Sequence, residues 1–326
     1  REPDPPTALG DVLLRAVLPD TYLPQVGARV QTRRASAWIE KNREKDFFLW
    51  IQYFDPHMTY GPPRAYLPDA PPPARIGTQF ADAARVRGGV FVPDLAERDW
   101  IRELYAGEVR YLDTEIAALF ETLRRLDLYD DALIVFTSDH GEEFWEHEGF
   151  EHGHTGYDEV LGVPLLVKLP GQAPRGRITG PVGNQSITPT VLAVAGFPTP
   201  PGEFSAPALV RRDPNGTLRA DVREGTLVAS AMLYFEDRTA VVAEGFKYVR
   251  YHVSGREELY DLAADPGETA NLAGTGDDRL ERGRTLFQQH LDAAEAQRNR
   301  LGILGPEAAD LDAETRRNLR SLGYVR

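Results

Sequence analysis

The stretch DDALIVFTSDHG, residues 130–141, decides the fold class that the sequence predicts. It opens with two aspartates, continues as a short apolar run and ends in Ser138, Asp139 and His140 before a glycine. An uninterrupted apolar run of this length is typical of a strand buried on both faces. The polar residues that follow would lie at the strand's carboxyl end, where α/β proteins gather their functional groups.

The segments on either side repeat the alternation of strand and helix. Apolar spacing predicts a helix from about residue 28 to 45 and a long amphipathic helix from about 95 to 127. DFFLWIQYFDPH (46–57) and GVPLLVKLPG (162–171) are each predicted as a buried strand. The order strand, helix, strand predicts an α/β fold with a mixed central sheet flanked by helices.

The pattern changes beyond the proline- and glycine-rich stretch near residues 198–216. Short strands separated by polar breaks follow it and predict a small antiparallel sheet, and helices are expected at 278–299 and 311–324. We therefore place a boundary near residue 205, with an α/β domain over 1–205 and a smaller subdomain over 206–326. The proline-rich segments 1–25 and 58–95 are predicted as loops.

Composition excludes several classes of protein. The net charge of -13 argues against a nucleic-acid binder, which usually carries a basic stripe. The sequence has no cysteine, so thiolate ligands, disulfides and cysteine nucleophiles are absent from it. No stretch has the roughly 18 consecutive apolar residues expected of a membrane span.

Histidines are concentrated directly after the strand at 130–141. Four of the seven histidines in the chain stand at positions 140, 147, 152 and 154. Asp139 and His140 offer an oxygen and a nitrogen ligand on one turn, a combination that suits a divalent cation. Such a cation acts as a Lewis acid on an ester oxygen. His154 lies in the turn GHTG, whose glycines allow the backbone to approach a ligand.

The other members of the cluster receive less specific predictions. His147 and His152 stand among glutamates and are expected to be solvated or to support the ligands. Glu142 and Glu143 can orient imidazoles, although a charged loop face is the simpler expectation. Residues 145–150 are expected to form a flap, because Gly149 and Gly153 interrupt any helix. His57 follows Asp55 and Pro56 at the end of the strand predicted over 46–57.

Five blocks of sequence resemble the sulfatase family, within the alkaline-phosphatase-like superfamily. They occur in the family's order and cover nearly the whole chain: FFLWIQYFDPHMTYGPP (47–63), YAGEVRYLDTEIAALFETLRRLDLYDDALIVFTSDHGEEF (105–144), HGHTGYDEVLGVPLLVKLPG (152–171), EELYDLAADPGETANLA (257–273) and LRSLGYV (319–325). The resemblance implies an alkaline-phosphatase-like fold and a metal-dependent hydrolase of sulfate monoesters, acting on a small molecule or a glycan.

The resemblance also implies roles for individual residues. Asp139 and His140 fall where family members bind one divalent cation, Ca²⁺ first, with Mg²⁺ or Mn²⁺ as alternatives. His57 matches a histidine that binds the sulfate or protonates the leaving group, and His154 matches a residue that contacts the transferred group. The block 257–273 has a structural role in the family, and Lys247 before it is expected at the surface or the rim.

One part of the family pattern does not occur in this sequence. Sulfatases carry their nucleophile in a Cys/Ser-x-Pro-x-Arg motif, whose first residue becomes formylglycine, and two early aspartates add metal ligands. The sequence contains no such motif. The chain is therefore interpreted as the carboxyl-terminal part of the enzyme, and a missing N-terminal segment or a companion chain is expected to supply the rest.

Several alternatives remain open at this point. A phosphodiesterase or phosphonate monoester hydrolase of the same superfamily shares the Asp-His pair and differs in its nucleophile and metal. A two-zinc site would need one more histidine ligand, for which His152 or His154 is the nearby candidate. A noncatalytic relative or fragment that only binds, and a transferase that passes the group to an alcohol, are the remaining readings.

Overall fold

The computed structural model describes residues 27–171, 176–200, 202–222, 225–230 and 235–302. The loop predicted over 1–25, the helix predicted over 311–324 and the block LRSLGYV lie outside the described residues. The chain divides into two compact units, one ending at Asp130 and the other beginning at Asp131. The domain boundary near residue 205 stays a prediction.

The first unit is built on two helices that pack against each other. Helix α1 spans Ala28–Asn42, α2 is the short turn Ala83–Arg87, and α3 spans Leu95–Arg125. The predicted helices at 28–45 and 95–127 are thus confirmed. A capping box starts α3, because the Asp94 side chain accepts from the Glu97 amide while the Glu97 side chain accepts from the Asp94 amide.

The core of the first unit lies between α1 and α3. Its apolar residues include Ala35, Ile39, Ile101, Leu104 and Leu119. Polar contacts fix the pairing of the two helices: Thr32 Oγ1 donates to Glu115 O at 3.2 Å, and Ser36 Oγ lies 3.1 Å from Thr122 Oγ1.

The prediction of a buried strand over residues 46–57 is wrong. Residues 46–54 belong to no helix or strand, although their exposure alternates as in a strand: Leu49, Ile51 and Tyr53 are half-buried, while the intervening side chains face outward. Phe48, Trp50 and Phe54 are 61%, 57% and 45% exposed. Among the described residues no strand pairs with this segment. The hydrophobic run therefore indicated the extended backbone, but it did not show whether another element buries the segment.

The second unit begins with the strand that the sequence predicted. Strand β1 spans Ile134–Thr137 and pairs antiparallel with β4, Leu165–Lys168. The predicted strand at 162–171 is therefore confirmed in its middle, although Leu166 is 59% exposed. Between them lie the hairpin of β2 (Glu143–Phe144) and β3 (Phe150–Glu151) and the turn of helix α4 (Asp158–Leu161).

A second helix of this unit follows β4. Helix α5 spans Ile187–Ala195 and ends at Gly196, whose φ of 83° is the left-handed conformation common after a helix. Strands β5 (Val210–Arg212) and β6 (Leu218–Ala220) form a hairpin that the sequence did not predict.

The predicted antiparallel sheet is confirmed. Strands β7 (Leu227–Ser230), β8 (Arg238–Ala243), β9 (Phe246–Tyr251) and β10 (Glu257–Asp261) lie in the order β10-β9-β8-β7. Glu244 and Gly245 both have positive φ, which a two-residue hairpin turn requires.

Helix α6, Arg279–Leu301, packs on this sheet through Leu286 and Phe287. A Cβ on Gly283 would lie 2.6 Å from Tyr248 Cγ, so only glycine allows this approach.

Candidate functional site

The turn after β1 is held by a side chain from a distant part of the chain. Asn184 accepts from Thr137 Oγ1 at 2.9 Å and donates to Ser138 O at 2.8 Å. Ser138 Oγ in turn donates to His140 O at 2.6 Å. These bonds fix the backbone on which Asp139 and His140 stand. Asn184 carried no signal in the sequence, since its partners lie more than 40 residues away.

Asp139 and His140 point their functional atoms toward one another. The Asp139 side chain is 77% exposed, and its Oδ2 lies 3.9 Å from His140 Nε2. His140 Nδ1 is 2.8 Å from Gly141 O. Because a carbonyl only accepts, Nδ1 carries the proton, and in the neutral ring the lone pair is on Nε2. A backbone carbonyl that fixes the tautomer in this way is usual for a metal-binding histidine.

His140 stacks on a second histidine. The rings of His140 and His152 have centroids 3.7 Å apart and planes inclined by 26°. His152 Nδ1 is 2.8 Å from Glu142 Oε1, and the His152 side chain is only 17% exposed. Of the two expectations for His152, solvation or support of the ligands, its contacts with Glu142 and His140 favour support. The Glu142 carboxylate fixes the imidazole, which was the alternative considered for Glu142.

Glu143 is the buried centre of the β2–β3 hairpin. Its side chain is 1% exposed, and its Oε2 lies 2.8 Å from His154 Nε2. Oε1 accepts from the amides of His147 at 3.1 Å and Gly149 at 2.6 Å. Burial alone would raise the pKa of Glu143, but the His154 imidazole and the two amides hold its pKa below the usual value. The hairpin confirms that residues 145–149 form no helix, and the flap over 145–150 stays a prediction.

His154 is itself buried, with 9% of its surface exposed. Its Nδ1 makes no hydrogen bond among the described residues. Nε2 contacts the Glu143 carboxylate and so holds the ring in place. Nδ1 takes no part in this contact. The predicted contact of His154 with a transferred group stays a prediction.

His147 is held on both ring nitrogens. Nδ1 lies 2.6 Å from Glu159 Oε1 and Nε2 lies 3.2 Å from Glu268 O, while the ring stacks on Tyr157 at 3.7 Å. A carboxylate and a carbonyl both accept, so this geometry suits the doubly protonated ring. Burial lowers its pKa, but Glu159 and the other acceptors outweigh burial and leave the pKa of His147 raised. Of the two expectations for His147, these contacts likewise favour a supporting role over solvation.

Glu143, His147 and Glu159 present ligand atoms that lie within 4.8 Å of one another. This is the geometry of a possible metal site. However, both carboxylate oxygens of Glu143 and both ring nitrogens of His147 already take part in the hydrogen bonds just described. We therefore assign these three side chains to the support of the hairpin and keep the Asp139–His140 turn as the candidate metal site.

The Asp139–His140 turn is joined to α4 through backbone hydrogen bonds. The amides of Gly141 and Glu142 donate to Val160 O at 2.8 Å and Glu159 O at 2.9 Å. A Cβ on Gly141 would collide with Glu159 O, so the glycine of SDHG is needed for this close approach.

Lys247 is fully buried, which corrects the expectation that it lies at the surface or the rim. It stands in β9 with 0% of its side chain exposed. Its Nζ lies 2.8 Å from Glu268 Oε1 and 3.0 Å from Asp158 Oδ1. Two carboxylates on other segments, which the local sequence does not reveal, therefore compensate the buried ammonium group.

His57 lies in the first unit, on the turn after the extended segment. Its side chain is exposed, and Nδ1 is 2.9 Å from Met58 O. Because Asp139, His140 and His154 lie in the other unit, the convergence of all four side chains stays a prediction.

The donor atoms of the candidate metal site fit a divalent cation. Ligand atoms that lie 2.3–2.6 Å from a Ca²⁺ ion are separated from each other by about 3–5 Å. The 3.9 Å between Asp139 Oδ2 and His140 Nε2 falls in this range. Ca²⁺ takes six to eight oxygen ligands, so the Asp139 carboxylate matches its preference better than the His140 imidazole does. Further oxygen ligands would have to come from elsewhere.

Family comparisons identify the class of protein. A model of the Sulfatase family matches residues 19–197. A second model, described as the C-terminal part of N-sulphoglucosamine sulphohydrolase, matches residues 146–297. Since the first model covers more than half of the chain, the chain belongs to the sulfatase family.

Two relatives are similar in sequence. The chain is 29% identical over 282 residues to the multifunctional alkaline phosphatase superfamily protein PehA of Trinickia caryophylli, covering 74% of this chain and 54% of that protein. It is 34% identical over 179 residues to a choline-sulfatase of Rhizobium meliloti (strain 1021), covering 53% of this chain and 33% of that protein. The chain thus spans between a third and about half of the length of these relatives.

Solved structures confirm the fold. BT4656, in complex with D-glucosamine-2-N,6-O-disulfate, aligns with a TM-score of 0.60 at 18% identity, covering 87% of this chain and 72% of that one. The phosphonate monoester hydrolase SpPMH from Silicibacter pomeroyi also aligns with a TM-score of 0.60, at 21% identity over 84% of this chain and 61% of that one. The expected alkaline-phosphatase-like α/β fold is therefore confirmed. None of the helices in the described part of the chain has the length and apolar character to cross a membrane.

Proposed function

We propose that this member of the sulfatase family supplies part of the active site of a metal-dependent hydrolase of sulfate monoesters. The observation that carries the proposal is the extent of the Sulfatase model: residues 19–197 contain His57, Asp139, His140 and His154 together. In the overall reaction, water adds to the ester, the S–O bond breaks, and an alcohol and hydrogen sulfate leave.

Asp139 and His140 would hold one divalent cation, for which Ca²⁺ is the first expectation. When bound, the cation supplies Lewis-acid polarisation of an ester oxygen and favours deprotonation of a nucleophile. Gly141 O keeps His140 in the tautomer that presents Nε2, and Asn184 holds the turn in place. His57 would bind the sulfate or protonate the departing oxygen, and His154 would stabilise charge on the transferred group.

The remaining parts of the active site would come from outside this chain. These parts are the formylglycine nucleophile and the additional metal ligands, carried by an N-terminal segment or a companion chain. The exposed aromatic side chains of Phe48, Trp50 and Phe54 support this proposal, because they form an apolar face on a segment with strand-like alternation. Such a face is suited to packing against another polypeptide.

The test uses this chain together with the polypeptide that carries the nucleophile, loaded with Ca²⁺, Mg²⁺ or Mn²⁺. We expect hydrolysis of an aryl sulfate that falls at least 100-fold in Asp139→Asn and His140→Ala. Asp131→Asn, which changes an aspartate just before β1 and so at the opposite end of the strand from the turn, is the control and should keep full activity. Absence of aryl sulfate hydrolysis with every metal would refute the proposal.

A hydrolase of phosphonate monoesters or phosphodiesters is the second candidate. Its support is the 29% identity to PehA, described as a multifunctional alkaline phosphatase superfamily protein. An aryl phosphonate and an aryl phosphodiester assayed beside the aryl sulfate separate the two. A kcat/KM for the phosphorus esters more than 10-fold above that for the sulfate would favour the second candidate.

A further inference from the structure

The buried ammonium group of Lys247 raises the question of what it does there. Its two partners, Glu268 and Asp158, stand on segments that are remote in sequence, and the Glu268 side chain is only 1% exposed. A buried ion pair is a weak source of stability, because desolvation offsets most of the attraction between the charges. An apolar pair of the same volume would serve the fold as well. Stability alone therefore does not explain the pair, and a positioning role does.

Glu268 stands in a conformation that its residue type does not favour. Its φ is 53°, a left-handed value that glycine and asparagine adopt more readily. Three different atoms of Glu268 nevertheless contact Lys247, Asp158 and His147. Oε1 pairs with Lys247 Nζ at 2.8 Å, Oε2 accepts from the Asp158 amide at 2.7 Å, and the carbonyl O accepts from His147 Nε2 at 3.2 Å.

The contacts of Glu268 and Lys247 converge on the start of α4. Glu268 binds the Asp158 amide, and Lys247 binds the Asp158 carboxylate at 3.0 Å. Asp158 is the first residue of α4, so both its backbone and its side chain are anchored to the C-terminal sheet and the turn that follows it. The helix has only four residues and depends on such external contacts for its position.

Helix α4 in turn determines the position of the Asp139–His140 turn. The carbonyls of Glu159 and Val160 accept from the amides of Glu142 and Gly141. Gly141 packs so closely on Glu159 O that no Cβ fits between them. A displacement of α4 is therefore transmitted directly to the residue next to His140.

We infer that Lys247 and Glu268 are positioning residues that hold α4, and through α4 the turn that carries Asp139 and His140. The inference rests on the proposed function only in that this turn binds the cation. The segment ADPGET (264–269), which contains Glu268, would then help to place the metal ligands in addition to closing the sheet. The proposed effect of both residues is exerted through α4.

The decisive variant is Lys247→Met combined with Glu268→Met. It removes both charges and every side-chain contact to Asp158, while unbranched side chains of similar length keep the volume filled. Glu268→Gln is the milder variant, since its amide oxygen can still accept from the Asp158 amide. Thr269→Ala is the matched control, because its Oγ1 donates within the same turn, to Asp265 Oδ1 at 3.1 Å.

The first readout is the set of imidazole ¹H–¹⁵N signals of the full 326-residue chain at one pH. We expect the signals of His140 and His152, which stack on each other, to shift in the double variant and to move less, in the same direction, in Glu268→Gln. Thr269→Ala should leave them unchanged. Unchanged His140 and His152 signals in a folded double variant, or equal shifts in Thr269→Ala, would overturn the inference. If the double variant does not fold, Glu268→Gln decides by the same criterion.

The second readout is the Ca²⁺ dependence of aryl sulfate hydrolysis, with the polypeptide that carries the nucleophile present. We expect the half-saturating Ca²⁺ concentration to rise about 10-fold in the double variant, with a smaller loss of kcat at saturating Ca²⁺. Equal half-saturating concentrations in variant and parent would contradict the positioning role. If no sulfate ester is cleaved, only the proposed function fails, and the imidazole signals still decide the inference.

Discussion

Glu108 is the carboxyl group whose replacement gives the sharpest prediction about the first unit. It lies on α3, 6% exposed, and its Oε1 accepts from the Gly61 amide at 2.9 Å. Burial is the main cause that raises the pKa of Glu108 from 4.5 to about 7, and the neighbouring Asp55 carboxyl group raises it further. Burial also raises the pKa of Asp55, while its hydrogen bond with Glu108 acts in the opposite direction.

The sign of the pH dependence follows from proton binding. Between pH 4.5 and about 7 the folded chain keeps a proton on Glu108 that the unfolded chain has lost. The free energy of unfolding therefore falls as the pH rises through this window and levels off above it. At 1.36 kcal/mol per pKa unit, the difference between the two pKa values of Glu108 corresponds to a loss of about 3 kcal/mol in unfolding free energy. This is an upper limit, because part of the shift depends on the Asp55 carboxyl group.

Glu108→Gln removes the ionisation and keeps an oxygen that can accept from Gly61. We expect the variant to match the parent near pH 4.5 and to exceed its unfolding free energy by about 2–3 kcal/mol at pH 8. Urea denaturation followed by circular dichroism at pH 4.5, 6, 7 and 8 measures this. Glu121→Gln, on the exposed face of the same helix, is the control and should leave the pH profile unchanged. A variant that keeps the parent's slope, or is less stable at pH 8, would refute the reasoning.

Three further predictions concern the second unit. Because the pKa of His147 is raised in the folded chain, the protonated ring stabilises the fold fully below pH 6.5, and this contribution is lost as the pH rises through the folded pKa. His147→Gln should flatten this pH dependence and lower the unfolding free energy at pH 6 by about 1–2 kcal/mol. A midpoint of the His147 NMR titration at or below 6.5 would contradict this. Gly141→Ala should lower the unfolding free energy by about 1–3 kcal/mol and shift the His140 imidazole signals, whereas Gly176→Ala, with no atom near its Cβ, should do neither. Gly283→Ala should cost about 1–3 kcal/mol through the Tyr248 ring, measured as a lower melting temperature.

Features that depend on neighbouring residues were predictable from the sequence. The helices at 28–42 and 95–125 follow from spacing within each helix. Strand β1 and the turn that carries Asp139 and His140 follow from an apolar run that ends in polar residues.

Features that depend on distant partners were not predictable. The burial of Lys247 requires Glu268, which is 21 positions away, and Asp158, which is 89 positions away, and nothing in the residue type indicates these partners. The pairing of His147 with Glu159 and the Glu268 carbonyl has the same origin. The exposure of residues 48, 50 and 54 depends on what covers the segment, so a hydrophobic run alone cannot predict it.

The aromatic segment at 47–54 also affects how the chain behaves when handled alone. It contains eight consecutive residues without a charge, extended and half open to water. Segments of this kind promote edge-to-edge association and precipitation. Turbidity of a stock solution should consequently grow with protein concentration and with added salt at room temperature, before any helix is lost. Mixing in a polypeptide that shields these rings should clear it.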